Sequence, residues 1–177
     1  MNIIPYSNKI DVYLKEDEVI DFTNDAIVQL ADKLCENVNS EMEYIKKAYE
    51  YVRDNIFHSA DINEKIKSIP TGFCYQKILV DEKTRPVLVY HGLNGVYMKE
   101  LKKWIRLDAR GNKNGVNAQF SIEMEQLAYA IRVEKGEEDD FMVYPNPDIK
   151  ILGKLRQNKT RTQLWDNLPT ELGYISI

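Results

Sequence analysis

His91 and Asp108 are the residues of this 177-residue chain whose types best suit proton-transfer chemistry. An aspartate beside a histidine can accept a hydrogen bond from the imidazole N–H, fix the tautomer of the ring and stabilise its protonated form. A histidine held in this way can act as a general base and then as a general acid for a nearby nucleophile. The rest of the sequence must then supply elements that bring these two residues together.

Two strand-like runs carry the pair. Residues 87–98 are rich in valine, leucine and tyrosine, and residues 104–107 alternate aromatic, apolar and charged side chains. The polar residues 99–103 between them predict a hairpin loop. A third strand-like run precedes them, so the sequence predicts an antiparallel sheet with strands at 72–80, 87–98 and 103–109.

The position of the hairpin turn decides whether the pair meets. If the turn is centred on residues 99 and 100, His91 lies opposite Asp108, and Gly95 lies opposite Trp104. Directly opposed side chains have Cβ atoms about 4.5–5.5 Å apart, which predicts a hydrogen bond of about 2.7–3.2 Å between a ring nitrogen and a carboxylate oxygen. A register change of two residues keeps the pair diagonal on one face of the sheet. A slip of one residue places the partners on opposite faces.

Both residues also have a purely structural interpretation. A histidine in a strand is often a half-buried core residue, and Asp108 can simply begin the loop ARGNKNG. Structural ion pairs perturb pKa values as catalytic pairs do, so spacing alone does not separate the two interpretations. Arg110 and Asn112 in that loop either brace the strand of the aspartate or belong to a plain turn.

Cys74 lies within the first predicted strand and is the candidate for a surrogate thiol. The alternation of a strand puts Cys74 and Gln76 on one face, so the thiol can serve His91 only if His91 shares that face. A cysteine in a strand lacks the helix N-terminus that lowers the pKa of a nucleophilic thiol, which favours a core role. Cys35 belongs to an earlier helical stretch and is interpreted as a small, partly buried residue.

The sequence contains no pattern for a metal or a cofactor. No second histidine or cysteine stands at metal-ligand spacing beside His58 or His91, which predicts no zinc site. The chain has no glycine-rich phosphate loop, and we expect no bound cofactor.

Three segments resemble the bacterial transglutaminase-like family, a branch of the papain-like thiol fold. They are IPTGFCYQK, HGLNGVYM and WIRLDARGNKNGVNAQF, and the preceding helix with FHSADI is similar to the start of that family's core. The resemblance covers about residues 40–130, and the segment DNLP near the C-terminus shows a weaker similarity. It implies an α+β domain with helices packed on an antiparallel sheet. It also implies that His91 and Asp108 are the histidine and aspartate of a Cys-His-Asp triad.

The chemistry that the resemblance implies is acyl transfer through a thiol. A thiolate attacks an amide carbonyl of a protein or peptide, and water or an amine then resolves the acyl-enzyme. The family's nucleophilic cysteine opens a helix that precedes the IPTGFCYQ-like strand, whereas here only residues 63–68, NEKIKS, separate Ile62 from Ile69. Neither Cys35 nor Cys74 matches the position of that nucleophile.

Two classes of function follow from this departure. The first is a thiol acyltransferase or amide hydrolase whose nucleophile segment is missing from the chain. It predicts a spatial break within residues 59–69 and an open face beside His91, since six residues span at most about 20 Å. The second is a catalytically inactive binding or structural module of the same fold. It predicts a continuous run, with about 3.8 Å between successive Cα atoms.

The remaining sequence predicts one domain, residues 1–177, with helices flanking the sheet. Apolar residues at helical spacing and capping residues predict helices at 24–38, 41–57, 148–156 and 160–167, and short extended pieces are expected at 3–6 and 10–14. The core covers about residues 40–130. An N-terminal helical or arm segment, residues 1–39, precedes it, and a C-terminal helical segment, residues 141–177, follows it.

Composition limits the partners and the compartment. The chain has 24 basic and 28 acidic residues, a formal net charge of −4 and no basic run, so nucleic acids and anionic membranes are not expected partners. Two cysteines form no disulfide framework, which favours a reducing compartment and predicts a cytoplasmic protein. The N-terminal stretch lacks the apolar region of a signal peptide, and no apolar run is long enough to cross a membrane. The oligomeric state stays open.

Overall fold

A computed structural model describes residues 2–16, 21–55, 69–113 and 115–173, and its centre is an antiparallel sheet. The strands are β1 (Ile4–Pro5), β2 (Thr71–Val80), β3 (Val87–Met98), β4 (Lys103–Leu107), β5 (Glu138–Asp139) and β6 (Met142–Val143). Four of them form the sheet in the order β4-β3-β2-β5, and β1 pairs in parallel with β6. The α+β class and the three predicted central strands are confirmed.

Four helices accompany the sheet in the described portion of the chain. They are α1 (Asp25–Cys35), α2 (Glu41–Asn55), α3 (Ile149–Gln157) and α4 (Arg161–Asp166), which confirms the four predicted helices with small shifts of the ends that are described. The predicted end of α2 at residue 57 lies outside the described residues. Asn24, Asp148 and Thr160 begin α1, α3 and α4, because the side chain of each accepts a hydrogen bond from an amide of the first turn. None of the described helices is long and apolar enough to cross a membrane.

The hairpin turn between β3 and β4 is centred one residue further along the chain than predicted. Residues 99–102 form the turn, and Lys102 adopts a left-handed backbone conformation with φ of 50°. The carboxylate of Glu41, at the start of α2, accepts hydrogen bonds from the amides of Lys99 (2.8 Å) and Glu100 (3.3 Å). A side chain from a distant helix therefore binds the turn, and no local pattern in the hairpin encodes that contact.

This displacement of the turn changes the pairing of β3 with β4. Gly95 pairs with Arg106, so the predicted pairing of Gly95 with Trp104 is wrong. The shift amounts to two residues, which leaves every side chain on its predicted face. His91 and Asp108 therefore share a face and lie diagonally across the strands, instead of directly opposite each other.

One face of the sheet packs against α2. Ile45 and Tyr49 of the helix join Val96, Ile105 and Leu107 of the strands in a buried apolar cluster. Leu107 is the last residue of β4, so this cluster holds the end of the strand from which Asp108 continues. Burial of these side chains is the main force that positions the strand end.

The other face of the sheet is covered by the N-terminal segment and by β6. Tyr13, Cys74, Leu93 and Val143 form its buried apolar cluster. Ile10–Leu14 is a 3-10 helix, so the predicted extended piece at 10–14 is wrong. The helical turn buries Tyr13, whose hydroxyl donates to the Val143 carbonyl oxygen at 3.0 Å. This hydrogen bond joins residues far apart in the chain, so the local sequence around residues 10–14 does not encode it.

The segment predicted to contain either a break or a continuous join is residues 59–69. All of it except Ile69 lies outside the described portion of the chain, which leaves out residues 56–68. The two alternatives for this segment stay predictions, and His58 also lies outside the described residues.

Close packing above the sheet predicts the effect of one added methyl group. A Cβ atom at Gly95 would lie 2.7 Å from Val143 Cγ1 and 3.1 Å from Cys74 Sγ, whereas one at Gly153 in α3 meets nothing within 4 Å. We expect Gly95→Ala to lower the free energy of unfolding by about 1–3 kcal/mol because the core is overpacked. The control Gly153→Ala should raise it by up to about 1 kcal/mol through helix propensity. Urea unfolding measures both, and equal effects would contradict this packing.

Candidate acid–base site

His91 and Asp108 meet at one end of the hairpin. His91 lies in β3, and Asp108 follows the last residue of β4. The His91 Nε2 atom lies 2.8 Å from Asp108 Oδ2, and the two side chains are 11% and 3% exposed. The predicted hydrogen bond is confirmed. The catalytic role of the two residues stays a prediction.

The carboxylate of Asp108 is held from several sides. Its Oδ2 also accepts a hydrogen bond from the amide of Ala128 at 3.1 Å, and the Tyr49 hydroxyl of α2 donates to the Asp108 carbonyl oxygen at 3.1 Å. Burial raises the pKa of Asp108, but the charge and hydrogen bond of His91, the Ala128 amide and the charge of Arg110 outweigh burial. The pKa of Asp108 therefore lies below its ordinary value, and the group is ionised at neutral pH.

The hydrogen bond determines the tautomer of the neutral imidazole. An ionised carboxylate can only accept, so His91 Nε2 carries the proton and donates it to Asp108. The Nδ1 atom then holds the lone pair of the ring. No described residue forms a hydrogen bond with Nδ1, so this atom is the one able to take a proton from a reacting group.

The ring of Tyr129 packs against the imidazole of His91. Its ring meets the His91 ring edge to face, with centroids 5.0 Å apart and an interplanar angle of 83°. The guanidinium carbon of Arg110 lies 5.3 Å from the Tyr129 ring centroid, a cation–π contact. Sequence reasoning did not identify Tyr129. The contact joins segments far apart in sequence, so no local signal could have found it.

Asn112 organises the loop that follows Asp108. Its side-chain oxygen accepts from the Ala118 amide at 2.8 Å, and its side-chain nitrogen donates to the Ala118 carbonyl oxygen at 3.1 Å. Of the two predicted roles, Asn112 therefore closes the loop on itself. Arg110 contacts the Tyr129 ring, and its charge helps to lower the pKa of Asp108. Its Nε is buried without a hydrogen-bond partner among the described residues.

Cys74 shares the face of His91 but is sealed within the core. In the register of β2 with β3, Cys74 pairs with Leu93 and Gln76 pairs with His91. Cys74 and His91 are therefore diagonal neighbours, whose Cα atoms are typically about 7–8 Å apart. The thiol is 0% exposed, and burial raises the pKa of Cys74 far above its ordinary value. A protonated, solvent-free thiol is a poor nucleophile.

Cys35 is the other cysteine of the chain, and it is remote from the pair in the fold. It is the last residue of α1, a helix that packs against α2, and its side chain is exposed. The predicted partial burial of Cys35 is wrong, because the apolar stripe of α1 faces α2 and leaves Cys35 at its edge. Neither cysteine stands beside His91 Nδ1 as a ready nucleophile.

A buried ion-pair network lies on the same face of the sheet and was missed by sequence reasoning. The guanidinium of Arg106 forms two hydrogen bonds of 2.8 Å with Glu125 and one of 2.6 Å with Asp139. The Gln76 side-chain nitrogen donates to the other Asp139 oxygen at 2.9 Å. Burial lowers the pKa of Arg106, but its bonds to Glu125 and Asp139 raise it more, so Arg106 stays charged. Gln76 Oε1 is buried without a partner among the described residues.

A cleft of about 1000 Å³ opens over this network. Its floor includes Gln76 and Arg106, and its walls come largely from residues 121–131 and from residues 137–139. Tyr129 also lines the cleft, so the Tyr129 ring separates this space from His91. The cleft and the acid–base pair are neighbours on one face of the sheet.

Within the described residues, no group of three or more histidine, cysteine, aspartate or glutamate side chains could hold a metal ion. The carboxylates of Asp108 and Asp139 instead accept hydrogen bonds from His91 and Arg106.

Comparisons with known proteins add no assignment: no family model, no curated protein and no solved structure matches this chain. The site must therefore be interpreted from its own geometry.

The tautomer of His91 is a direct test of the pair. In the wild-type protein we expect the neutral ring to carry its proton on Nε2, because Asp108 accepts from that atom. In Asp108→Asn the amide group can also donate to the ring, so a population protonated on Nδ1 should arise. Side-chain ¹⁵N chemical shifts of His91 distinguish the two tautomers. An unchanged tautomer distribution would contradict the coupling.

Asp108 should also contribute to acid sensitivity. Its folded-state pKa is lowered, so its contribution to stability is present above its unfolded-state pKa and is lost as pH falls through its folded-state pKa. Asp108→Asn should cost about 1.5–3 kcal/mol at neutral pH because a charged hydrogen-bond acceptor is removed. This cost should shrink as the pH is lowered below about 4, the ordinary pKa of aspartate. Denaturant unfolding across acidic pH measures the difference, and a constant cost would contradict the lowered pKa.

Proposed function

We propose that this chain is a transglutaminase-like domain that keeps the acid–base half of a thiol acyl-transfer site. His91 is the general base and acid, and Asp108 orients it. Neither Cys35 nor Cys74 is a competent nucleophile in the described structure, so the chain acts as a catalytically inactive binding or structural module. The observation that carries the proposal is the ring of His91, held through Nε2 by a buried aspartate while Nδ1 has no partner among the described residues.

The pair suits the chemistry of amide acyl transfer. In such a reaction a base removes the proton of a thiol, and the thiolate attacks the carbonyl carbon of an amide. The resulting imidazolium gives its proton to the departing amine, and the base repeats the cycle for water or an incoming amine. Asp108, which is ionised and buried, stabilises the imidazolium in each half of the cycle.

The nucleophile is the missing member. Cys74 has a raised pKa and no solvent exposure, and it is a diagonal neighbour of the histidine. Cys35 is exposed on a helix that packs against α2. Members of a catalytic triad act as a unit, so the loss of one member removes nearly all of the advantage that the others give. What remains is a structured face able to bind the protein or peptide amide segment that an active relative would cleave or modify.

A thiol acyltransferase or amide hydrolase is the second candidate. One observation favours it: Cys74 and His91 lie on the same face of adjacent strands. In this alternative, a local rearrangement would bring the Cys74 thiol to Nδ1 and expose it to substrate. It requires Val143 and Tyr13, which pack with Cys74 in one apolar cluster, to move away.

Cysteine reactivity separates the two candidates. We expect iodoacetamide to label Cys35 in the native protein and to label Cys74 only after denaturation, since Cys74 is buried and protonated. Peptide mass spectrometry after timed labelling gives both rates. Rapid native labelling of Cys74, blocked by His91→Ala, would favour the enzyme.

An amine-incorporation assay completes the test, with a glutamine-rich protein and a fluorescent amine as substrates. The wild type, Cys74→Ala and the matched control Cys35→Ala should all give the background signal, and circular dichroism should verify that each is folded. Incorporation that disappears in Cys74→Ala and persists in Cys35→Ala would overturn the inactive-module proposal.

A further inference from the structure

Gln76 lines the cleft, and its carboxamide oxygen has no hydrogen-bond partner among the described residues. Gln76 is 2% exposed. A buried acceptor without a donor is unfavourable, so native proteins rarely leave one without water, an ion or a ligand. Because Gln76 is a lining residue of the cleft, a ligand there can supply the missing donor.

The orientation of the carboxamide is determined by its neighbours. Gln76 Nε2 donates to Asp139 Oδ2, and Asp139 Oδ1 is held by Arg106 at 2.6 Å. Rotating the carboxamide would bring its oxygen against the carboxylate, which has no proton to give. Gln76 Oε1 is therefore an acceptor that pairs with a hydrogen-bond donor, which an anionic ligand head does not supply.

The charge of the cleft favours a cation. Its lining includes two basic residues, Lys103 and Arg106, against five acidic ones, which are Glu123, Glu125, Glu137, Glu138 and Asp139. Arg106 occupies Glu125 and Asp139, and Arg132 occupies Glu137. Glu123 and Glu138 are exposed, and Glu138 lies 3.9 Å from the Lys77 ammonium, so Glu123 contributes most of the negative charge at the rim of the cleft. A cationic head is therefore attracted toward Gln76.

The walls distinguish between kinds of cation. Trp104, Tyr129 and Phe141 line the cleft together with aliphatic side chains such as Leu127 and Ile131. Guanidinium is planar and more weakly hydrated than ammonium, so it loses less on entering such a space and can lie against an aromatic ring. The cleft already holds one such contact, because the Arg106 guanidinium carbon lies 4.9 Å from the Phe141 ring centroid.

We propose that the cleft binds a guanidinium group on a short apolar chain, with one of its N–H groups donating to Gln76 Oε1. The apolar chain lies against Leu127 and Ile131. This site is separate from the thiol chemistry, since it uses neither His91 nor a cysteine. Its failure would leave the inactive-module proposal untouched, and the reverse also holds.

Calorimetric titration with n-hexylguanidinium tests the site, with n-hexylammonium, hexanoate and hexanol as ligands of the same chain length. We expect hexylguanidinium to bind most tightly and hexanoate to bind least. Gln76→Met removes the acceptor at nearly constant volume and should weaken hexylguanidinium by about tenfold. Gln126→Met, the same substitution at another glutamine that lines the cleft, should leave the affinity nearly unchanged.

The wild-type protein provides a second measurement if Gln76→Met does not fold. The side-chain NH₂ resonances of Gln76 and the indole N–H of Trp104 should shift on addition of hexylguanidinium in a ¹H–¹⁵N spectrum. Equal binding of hexanol, an unaffected Gln76→Met variant, or no shift of the Gln76 resonances at millimolar ligand would each overturn the proposal.

Discussion

The geometry of this region depends on the hydrogen bonds that the Asp108 carboxylate accepts. It stands just past the end of β4 and accepts hydrogen bonds from His91 in β3 and from the backbone of Ala128 in the covering segment. Its own carbonyl oxygen is held by Tyr49 of α2. One ionised, buried group thus joins two strands, a helix and a loop. Removing an acceptor of this kind leaves several donors unpaired, which is why buried polar networks specify one arrangement so strongly.

Arg106, which lies within β4, has a corresponding role for two segments distant in sequence. Its guanidinium is buried, and its charge is balanced by Glu125 from the segment after β4 and by Asp139 of the edge strand β5. Buried charges cost desolvation energy, so such a network is weak evidence for net stability. It attaches these two segments to β4, and the cleft opens over it. The acid–base pair and the cleft are therefore products of the same arrangement of polar groups.

Under the proposed function, His91 and Asp108 are the proton-transfer groups of a reaction whose nucleophile is missing. A His-Asp pair whose Nδ1 has no partner among the described residues suits a thiol or another nucleophile on that side of the ring. Cys74 lies on the correct face, yet apolar packing keeps it protonated and closed to solvent. This combination supports the proposal of binding over that of turnover. The cleft is the more accessible place for a ligand, and its lining residue Gln76 has an oxygen without a hydrogen-bond partner among the described residues.

The four helices, the three central strands and the contact between His91 and Asp108 could be predicted from the sequence. Alternation in the strands placed the two residues on one face, and a register error of two residues left that outcome unchanged because side chains repeat with period two. The chain has only two cysteines, so the sequence also indicated that it lacks an obvious nucleophilic thiol. The tertiary structure decided the register, which depends on Glu41 of α2 binding the hairpin turn. It also decided the contact of Tyr129 with His91, the burial of Cys74 and the Arg106 network. These features join residues far apart in the chain, and local propensity carries no information about such contacts.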